Sequence, residues 1–293
     1  MAAVSYYEKT SKEFTHESIT AETSDYEDHS FCGVMFNLTV SAGDLPVDCF
    51  QIEEIWVRGG LGDMKIFVSK GSYKNKHNRS SEWNLIYNSF HGPSFRTLEK
   101  LKLPVPLKVN TDETIGLYIH SSARNDESVV YDNQRGFGDV TLKDKFISVS
   151  TAFAHLDCVP FGDHAPWGGS AWRQRRSFVG RITYGVRYQL WNPTNHHRFP
   201  LDFRNACRAL YRAHVFSWNG LPCDIIQYIL NMCPHSWFDY ERTTTTSGSL
   251  RTMIMNPSAL ITAITAATTT STSIEDPRYV IVKCLRKFRC CIS

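Results

Sequence analysis

The densest chemistry of this chain lies at its carboxyl end. Cys290-Cys291-Ile292-Ser293 reads as a C-a-a-X box, in which Cys290 carries a prenyl thioether and a final Ser favours farnesyl. One isoprenoid holds a protein to a bilayer only marginally, so stable anchoring needs a second signal. Two are at hand. Lys283, Arg286, Lys287 and Arg289 form a basic patch, worth about 1 kcal/mol per residue near an anionic leaflet. Cys284 and Cys291 supply thiols open to palmitoylation. The expectation is a lipoprotein on the cytoplasmic face of a membrane. A basic tail without lipid is the plain alternative.

A second concentration is Pro160 to Arg176, which holds Asp163, His164, Trp167, Trp172, Arg173, Arg175 and Arg176 among glycines. Trp and Arg carry a large share of binding energy at protein interfaces, and loops on a rigid scaffold are where such residues gather. This segment is the candidate binding loop. The competing role for Trp167 and Trp172 is to cap the open end of a core, with the arginines facing water. His155, Asp157, Asp163 and His164 are close in sequence, but their spacing fits no metal-ligand scheme, so no metal is expected. Gly59-Gly60-Leu61-Gly62 lacks the Lys and Ser/Thr of a phosphate loop and reads as a hairpin turn. No nucleophile or zinc signature is present, and no cofactor is implied. An acid–base pair assembled only by the fold, such as Asp163 with His164, stays open.

Composition narrows the classes further. A net charge of +3 over 293 residues is too small to make the whole molecule a nucleic-acid binder. Glu8, Glu13, Glu17, Glu22, Asp25, Glu27 and Asp28 face only Lys9 and Lys12 in the first thirty residues, whereas the carboxyl end is basic. That polarity suits a tail held near an anionic surface. No basic, apolar leader opens the chain, and no run is apolar enough to cross a bilayer. The scattered cysteines form no C-x-x-C pair, so Cys32, Cys49, Cys158, Cys207, Cys223 and Cys233 are expected as reduced thiols.

The elements that position these groups follow from periodicity. Residues 1–30 are polar and acidic and read as a flexible arm. From 31 to 192 the period is 2, most clearly where Ile182, Tyr184, Val186, Tyr188 and Leu190 alternate with polar or small residues. Further strands are expected at 50–58, 83–87, 101–109, 115–120, 129–132 and 146–154. The fold class is therefore mainly β: an antiparallel, jelly-roll-like β-sandwich followed by a small helical segment and a flexible tail. The period becomes 3.6 at 201–216, where Phe203, Ala206, Leu210 and Ala213 share one stripe and Arg204, Arg208 and Arg212 another. A second helix opens after Pro222 and runs to Cys233. Residues 241–282, rich in Thr, Ser and Ala, read as a linker, and 283–293 as the prenylation tail.

Two resemblances add to this reading. Leu221-Pro222, Asp224, the pair Ile225-Ile226 and the pair Ile229-Leu230 resemble the opening of an F-box. That likeness implies a helical module at 193–240 that docks a Skp1-type adaptor and recruits a ubiquitin ligase. The later F-box helices have no counterpart, and the module follows the β region, where it usually precedes a substrate domain. The strand rhythm, with Leu103-Pro104-Val105-Pro106-Leu107 and Ile115 to Ile119, is similar to galactose-binding-like and PHR-type sandwiches. Those families bind proteins or carbohydrates through loops at one end. The expected function is non-enzymatic protein binding at a membrane, with ligase adaptation as one form of it. A carbohydrate-binding or carbohydrate-active sandwich, and an interaction module without a ligase link, are the alternatives.

Overall fold

The computed structural model describes residues 14–43, 45–123, 127–136, 138–216 and 222–232. These form two compact units, the first taking residues up to Gly43 and Val47–Gln189, the second the short Asp44–Pro46 segment and the chain from Leu190 on. The first unit contains two antiparallel sheets. One has the order β1 (Phe14–Glu22), β14 (Arg181–Tyr188), β4 (Val47–Gly59), β7 (Ser94–Asn110). The other runs β2 (His29–Phe31), β9 (Val129–Asn133), β13 (Trp172–Phe178), β12 (Ala152–His155), β3 (Gly33–Val40), β8 (Thr114–Ser121), β5 (Gly62–Lys70), β6 (Asn84–His91). β10 (Val140–Lys143) and β11 (Ile147–Ser150) extend it beside β3.

The chain is thus mainly β, as its alternation predicts. Ile182, Tyr184, Val186 and Tyr188 are buried, and every residue between them except Gly185 is half-exposed. Phe50 of β4 meets Phe146 and Tyr184, and Phe36 of β3 stacks on Phe178 of β13. Burying such rings contributes about 25 cal/mol per Å² of apolar surface removed from water.

Three expectations change. Residues 14–30 are no flexible arm: β1 pairs with β14 from Phe14 to Glu22, and the segment after it is fastened by charge. Arg58, almost fully buried, donates to Asp25 at 2.6 and 2.8 Å and to Asp28 at 2.8 Å. Those carboxylates, Asp25 foremost, push the guanidinium above its ordinary range. Asp132 caps the same stretch by accepting from the backbone N–H of Tyr26 and Glu27. A polar strand can form here because an edge strand needs only one ladder partner and a few inward side chains, such as Ala21. The Gly59–Gly62 turn is the second change. It is not a hairpin, because β4 and β5 belong to different sheets. It is a corner, with Gly59, Leu61 and Gly62 all at positive φ. The third change concerns the binding loop, whose last residues, from Trp172 on, are a strand of the larger sheet.

That sheet buries a second cluster besides the one between the layers. Met35, Tyr73, Trp83, Tyr118, Ala171 and Trp172 pack together, with Phe67, Phe153 and Phe161 against them. Met35 alternates with the core residues Val34 and Phe36, so this cluster occupies the opposite face of the sheet. The face that period-2 reasoning assigns to water is covered at this end.

The second unit is helical. Asn192 caps a 3₁₀ turn at Pro193–Arg198, its side chain accepting from the N–H of Thr194 and Asn195. α1 (Leu201–Phe216) and α2 (Cys223–Met232) follow. Their core is Trp191, Phe199, Phe203, Cys207, Leu210, Ile226 and Leu230. Asn231 ties α2 to the Trp191 backbone in both directions, accepting its N–H at 2.6 Å and donating to its carbonyl at 3.0 Å. No described helix is long and apolar enough to cross a membrane. None of Cys32, Cys49, Cys158, Cys207 and Cys223 is in a disulfide, and Cys233 lies outside the described residues.

Candidate functional site

The segment between β12 and β13 is built from the inside outward. Asp157, buried just after β12, accepts the backbone N–H of Val159 and of His164, both at 2.9 Å. Gly162 closes against it: a Cβ there would stand 2.1 Å from Asp157 Oδ2, so only glycine lets the carboxylate reach both amides. His155 Nε2 lies 2.9 Å from the Gly162 carbonyl. A carbonyl only accepts, so Nε2 carries the proton and Nδ1 accepts the Tyr118 hydroxyl at 2.7 Å. The Phe161 N–H donates in turn to the Tyr118 oxygen, while burial raises that phenol well above its ordinary range.

The His155 ring is sandwiched in aromatic company. Trp172 stacks on it with centroids 3.9 Å apart, and His120 stands at 5.6 Å. Burial lowers His155 to about 4 and His120 to about 3, so both are neutral at physiological pH. His120 donates from Nε2 to the Asp157 carbonyl at 3.0 Å. Its Nδ1 is buried with no hydrogen-bond partner. These side chains make up a rigid base that sets the course of the 157–171 segment.

On that base the segment presents Trp167, which is 63% exposed. Its ring is 5.9 Å from Phe31 of β2, and Phe31 is 5.2 Å from Tyr131 of β9. The Arg176 guanidinium lies over Tyr131 at 5.7 Å, and His29 stacks on the same ring at 6.0 Å. Arg173, Arg175 and Arg176 form no ion pair among the described residues. Arg175 adopts a φ of 58°, an uncommon conformation for a side-chain-bearing residue. The result is one exposed indole resting on half-buried Phe31 and, behind it, the buried Tyr131 ring, with Arg176 beside them; this suits an apolar anchor next to a carboxylate.

The sequence candidates therefore separate. Trp167 and Arg176 are linked through Phe31 and Tyr131, while Arg173 is half-buried and Arg175 exposed on the same strand as Arg176. Trp172, at 8% exposure, is core and takes no part in that link. Asp163 and His164 are exposed at the loop's start. The loose grouping of His155, Asp157, Asp163 and His164 does not converge: two are buried with backbone partners and two face out. Among the described residues no His, Cys, Asp and Glu side chains gather as metal ligands do. Phe31, Tyr131 and His29 escaped sequence reasoning because they sit on strands remote in the chain. Their only local signal is aromatic character at strand ends.

Two clefts in the β unit are lined mostly by groups already engaged. One of about 370 Å³ holds Glu22, Asp25, Arg58, Arg96 and Arg181. Arg58 is taken by Asp25 and Asp28, and Arg181 pairs with Glu22 at 2.8 Å. The other, about 200 Å³, is lined by Tyr26, Asn133, Gln134 and Arg135. The Arg135 guanidinium covers one face of Tyr26 at 4.4 Å.

In the helical unit, Ile226 and Leu230 of the F-box-like segment turn inward to the core. Ile225 and Ile229 are half-buried, Pro222 is exposed, and Leu221 lies outside the described residues. So do Lys283, Cys284, Arg286, Lys287, Arg289, Cys290 and Cys291. No protein-family model matches the chain, and no curated protein matches it.

Proposed function

We propose that the β unit is a non-enzymatic recognition module whose surface around Trp167 takes an extended, acidic protein segment bearing an apolar anchor. The observation that carries this reading is Trp167, held 63% exposed on a loop braced from beneath, with Arg176, which has no acidic partner among the described residues, reached through Phe31 and Tyr131. Isolated exposed aromatics are ordinary on surfaces. This one packs on half-buried Phe31, with Arg176 over the buried Tyr131 ring behind it, and so offers a braced anchor point beside a charge. In this reading the helical unit presents Ile225 and Ile229 to a Skp1-type adaptor, and a prenylated Cys290 holds the assembly at a membrane.

The test is direct binding. A fluorescent peptide alternating Glu and Leu, titrated with the protein and read by anisotropy, should bind, and its affinity should fall as salt rises. Trp167→Ala and the pair Arg175→Glu/Arg176→Glu should each abolish binding. Equal binding by Trp167→Ala, or preference for a Lys and Leu counterpart, would refute the proposal.

A further inference from the structure

The edges of the two sheets are protected unequally. An edge strand exposes unpaired N–H and C=O groups, and proteins blunt such edges with charge, proline or shortness. In the smaller sheet β1 carries Glu17 and Glu22. The other edge of that sheet, β7, carries Lys100, Lys102, Lys108 and Glu99 and is interrupted by Pro104 and Pro106. In the larger sheet β2 is only three residues long. β6 has none of these three devices, and its one irregularity is a bulge. Its sequence Asn84-Leu85-Ile86-Tyr87-Asn88-Ser89-Phe90-His91 contains no proline, Lys, Arg, Asp or Glu. It pairs with β5 on one side only, and no backbone group among the described residues bonds to its outer side.

Its register gives that edge a particular symmetry. Tyr87 pairs with Ile66 and Leu85 with Phe67, so the strand carries a one-residue bulge at Ile86. The bulge shifts the alternation. Leu85, Asn88 and Phe90 then face the same side as Phe67, Lys65 and Asp63, whereas Tyr87 and Ser89 lie with the buried Ile66 and Met64. Leu85 is 51% exposed and Phe90 71%. Counting the bulge as one pleat position, Leu85 and Phe90 are equidistant from Asn88. A two-fold axis through Asn88 therefore sets Leu85 opposite Phe90 of a second copy, Phe90 opposite Leu85, and Asn88 opposite Asn88. Apolar cross-strand pairs of this kind stabilise antiparallel ladders, and the amides can bond across the axis.

We infer that β6 is a self-association edge, joining two copies of this chain antiparallel into one continuous sheet. A second copy is the occupant because the edge is uncharged, which gives a charged partner nothing to select, and because its exposed side chains match themselves under a two-fold axis. Trp167 is not part of β6, so this inference stands apart from the recognition surface. Asp63 and Lys65 of β5 are the titratable groups on the same side, opposite Phe90 and Asn88 in register; His91, at the strand's end, hydrogen-bonds Tyr87 and Glu99 within its own copy.

The experiment is sedimentation equilibrium of the full chain. Wild type should give twice the chain mass of 33.5 kDa. Leu85→Lys/Phe90→Lys should give the single mass with an unchanged near-UV CD spectrum, because both positions are exposed. Asn88→Cys should form an intermolecular disulfide under mild oxidation that wild type does not. A monomeric wild type overturns the inference. So does a dimer that persists in the double lysine variant, or one in which Asn88→Cys gives no crosslink.

Discussion

The buried histidines should make this fold acid-labile in a defined window. In the unfolded chain His120 and His155 titrate near the ordinary value of about 6.5. In the fold they are held to about 3 and about 4, burial being the largest cause for each. The folded values are depressed, so the unfolded state binds more protons at mildly acidic pH. The stability tied to neutral imidazoles is complete above about 6.5 and drains away as pH falls toward the folded values. At pH 5 each histidine lies about 1.5 units below its unfolded value and above its folded one. Each then costs about 2 kcal/mol, and the pair about 4 kcal/mol. Against a typical total of about 5–15 kcal/mol that is a large fraction. Neighbouring charges are smaller causes within these same depressions. Lys65 is a further positive charge against His120, and each imidazolium would oppose the other across 5.6 Å.

Urea melts at pH 7 and pH 5, followed by near-UV CD, should place the midpoint of the β unit about 1–2 M lower at pH 5, taking a slope of about 2–3 kcal/mol per M. The double variant His120→Asn/His155→Asn should be less stable at pH 7 yet lose most of the difference between the two pH values. An unshifted midpoint in wild type, or an undiminished pH difference in the double variant, refutes the assignment of buried neutral imidazoles.

Other outcomes follow from the same packing. Trp172→Ala should destabilise the β unit by about 3–5 kcal/mol, because it empties the space against His155, whereas Trp167→Ala should stay within about 0.5 kcal/mol in thermal melts. Gly162→Ala should cost at least about 2 kcal/mol by displacing Asp157 from two backbone amides, with a matching drop in melting temperature. Arg58→Met should release residues 23–28 and speed proteolysis there, at a cost of about 1–3 kcal/mol for the lost charged hydrogen bonds. Intact mass of the protein made in a eukaryotic host should show an isoprenoid on Cys290 with loss of the last three residues, and Cys290→Ser should abolish both; an unmodified thiol would dismiss the lipid anchor.

Much of the β architecture is legible in the chain. The alternation at 182–190 and the runs at 50–58, 101–109 and 115–120 mark strands that the fold contains, the last three extended at both ends and the first stopping at Tyr188, short of Leu190. Side-chain period is a local property, written in consecutive residues, so local reading recovers it. The same holds for α1 and α2, although Cys207 rather than Ala206 proves the buried neighbour of Phe203. β1 was hidden because an edge strand rich in Ser, Thr and acids satisfies its backbone through β14 alone and shows little apolar period. The second cluster left one trace: Val34-Met35-Phe36 is apolar on both faces at once.

Residue type marked Trp167 and Trp172 equally, as members of one Trp- and Arg-rich stretch. Their opposite fates were decided by residues far away: His155 and Tyr118 cover Trp172, while Trp167 finds Phe31 on one side and solvent on the other. Burial is a sum over neighbours, and in an antiparallel sandwich most neighbours come from strands tens of residues apart. The sequence therefore determined which segments would pleat and which would coil; only strand pairing decided which of two identical indoles would become core and which would be left exposed.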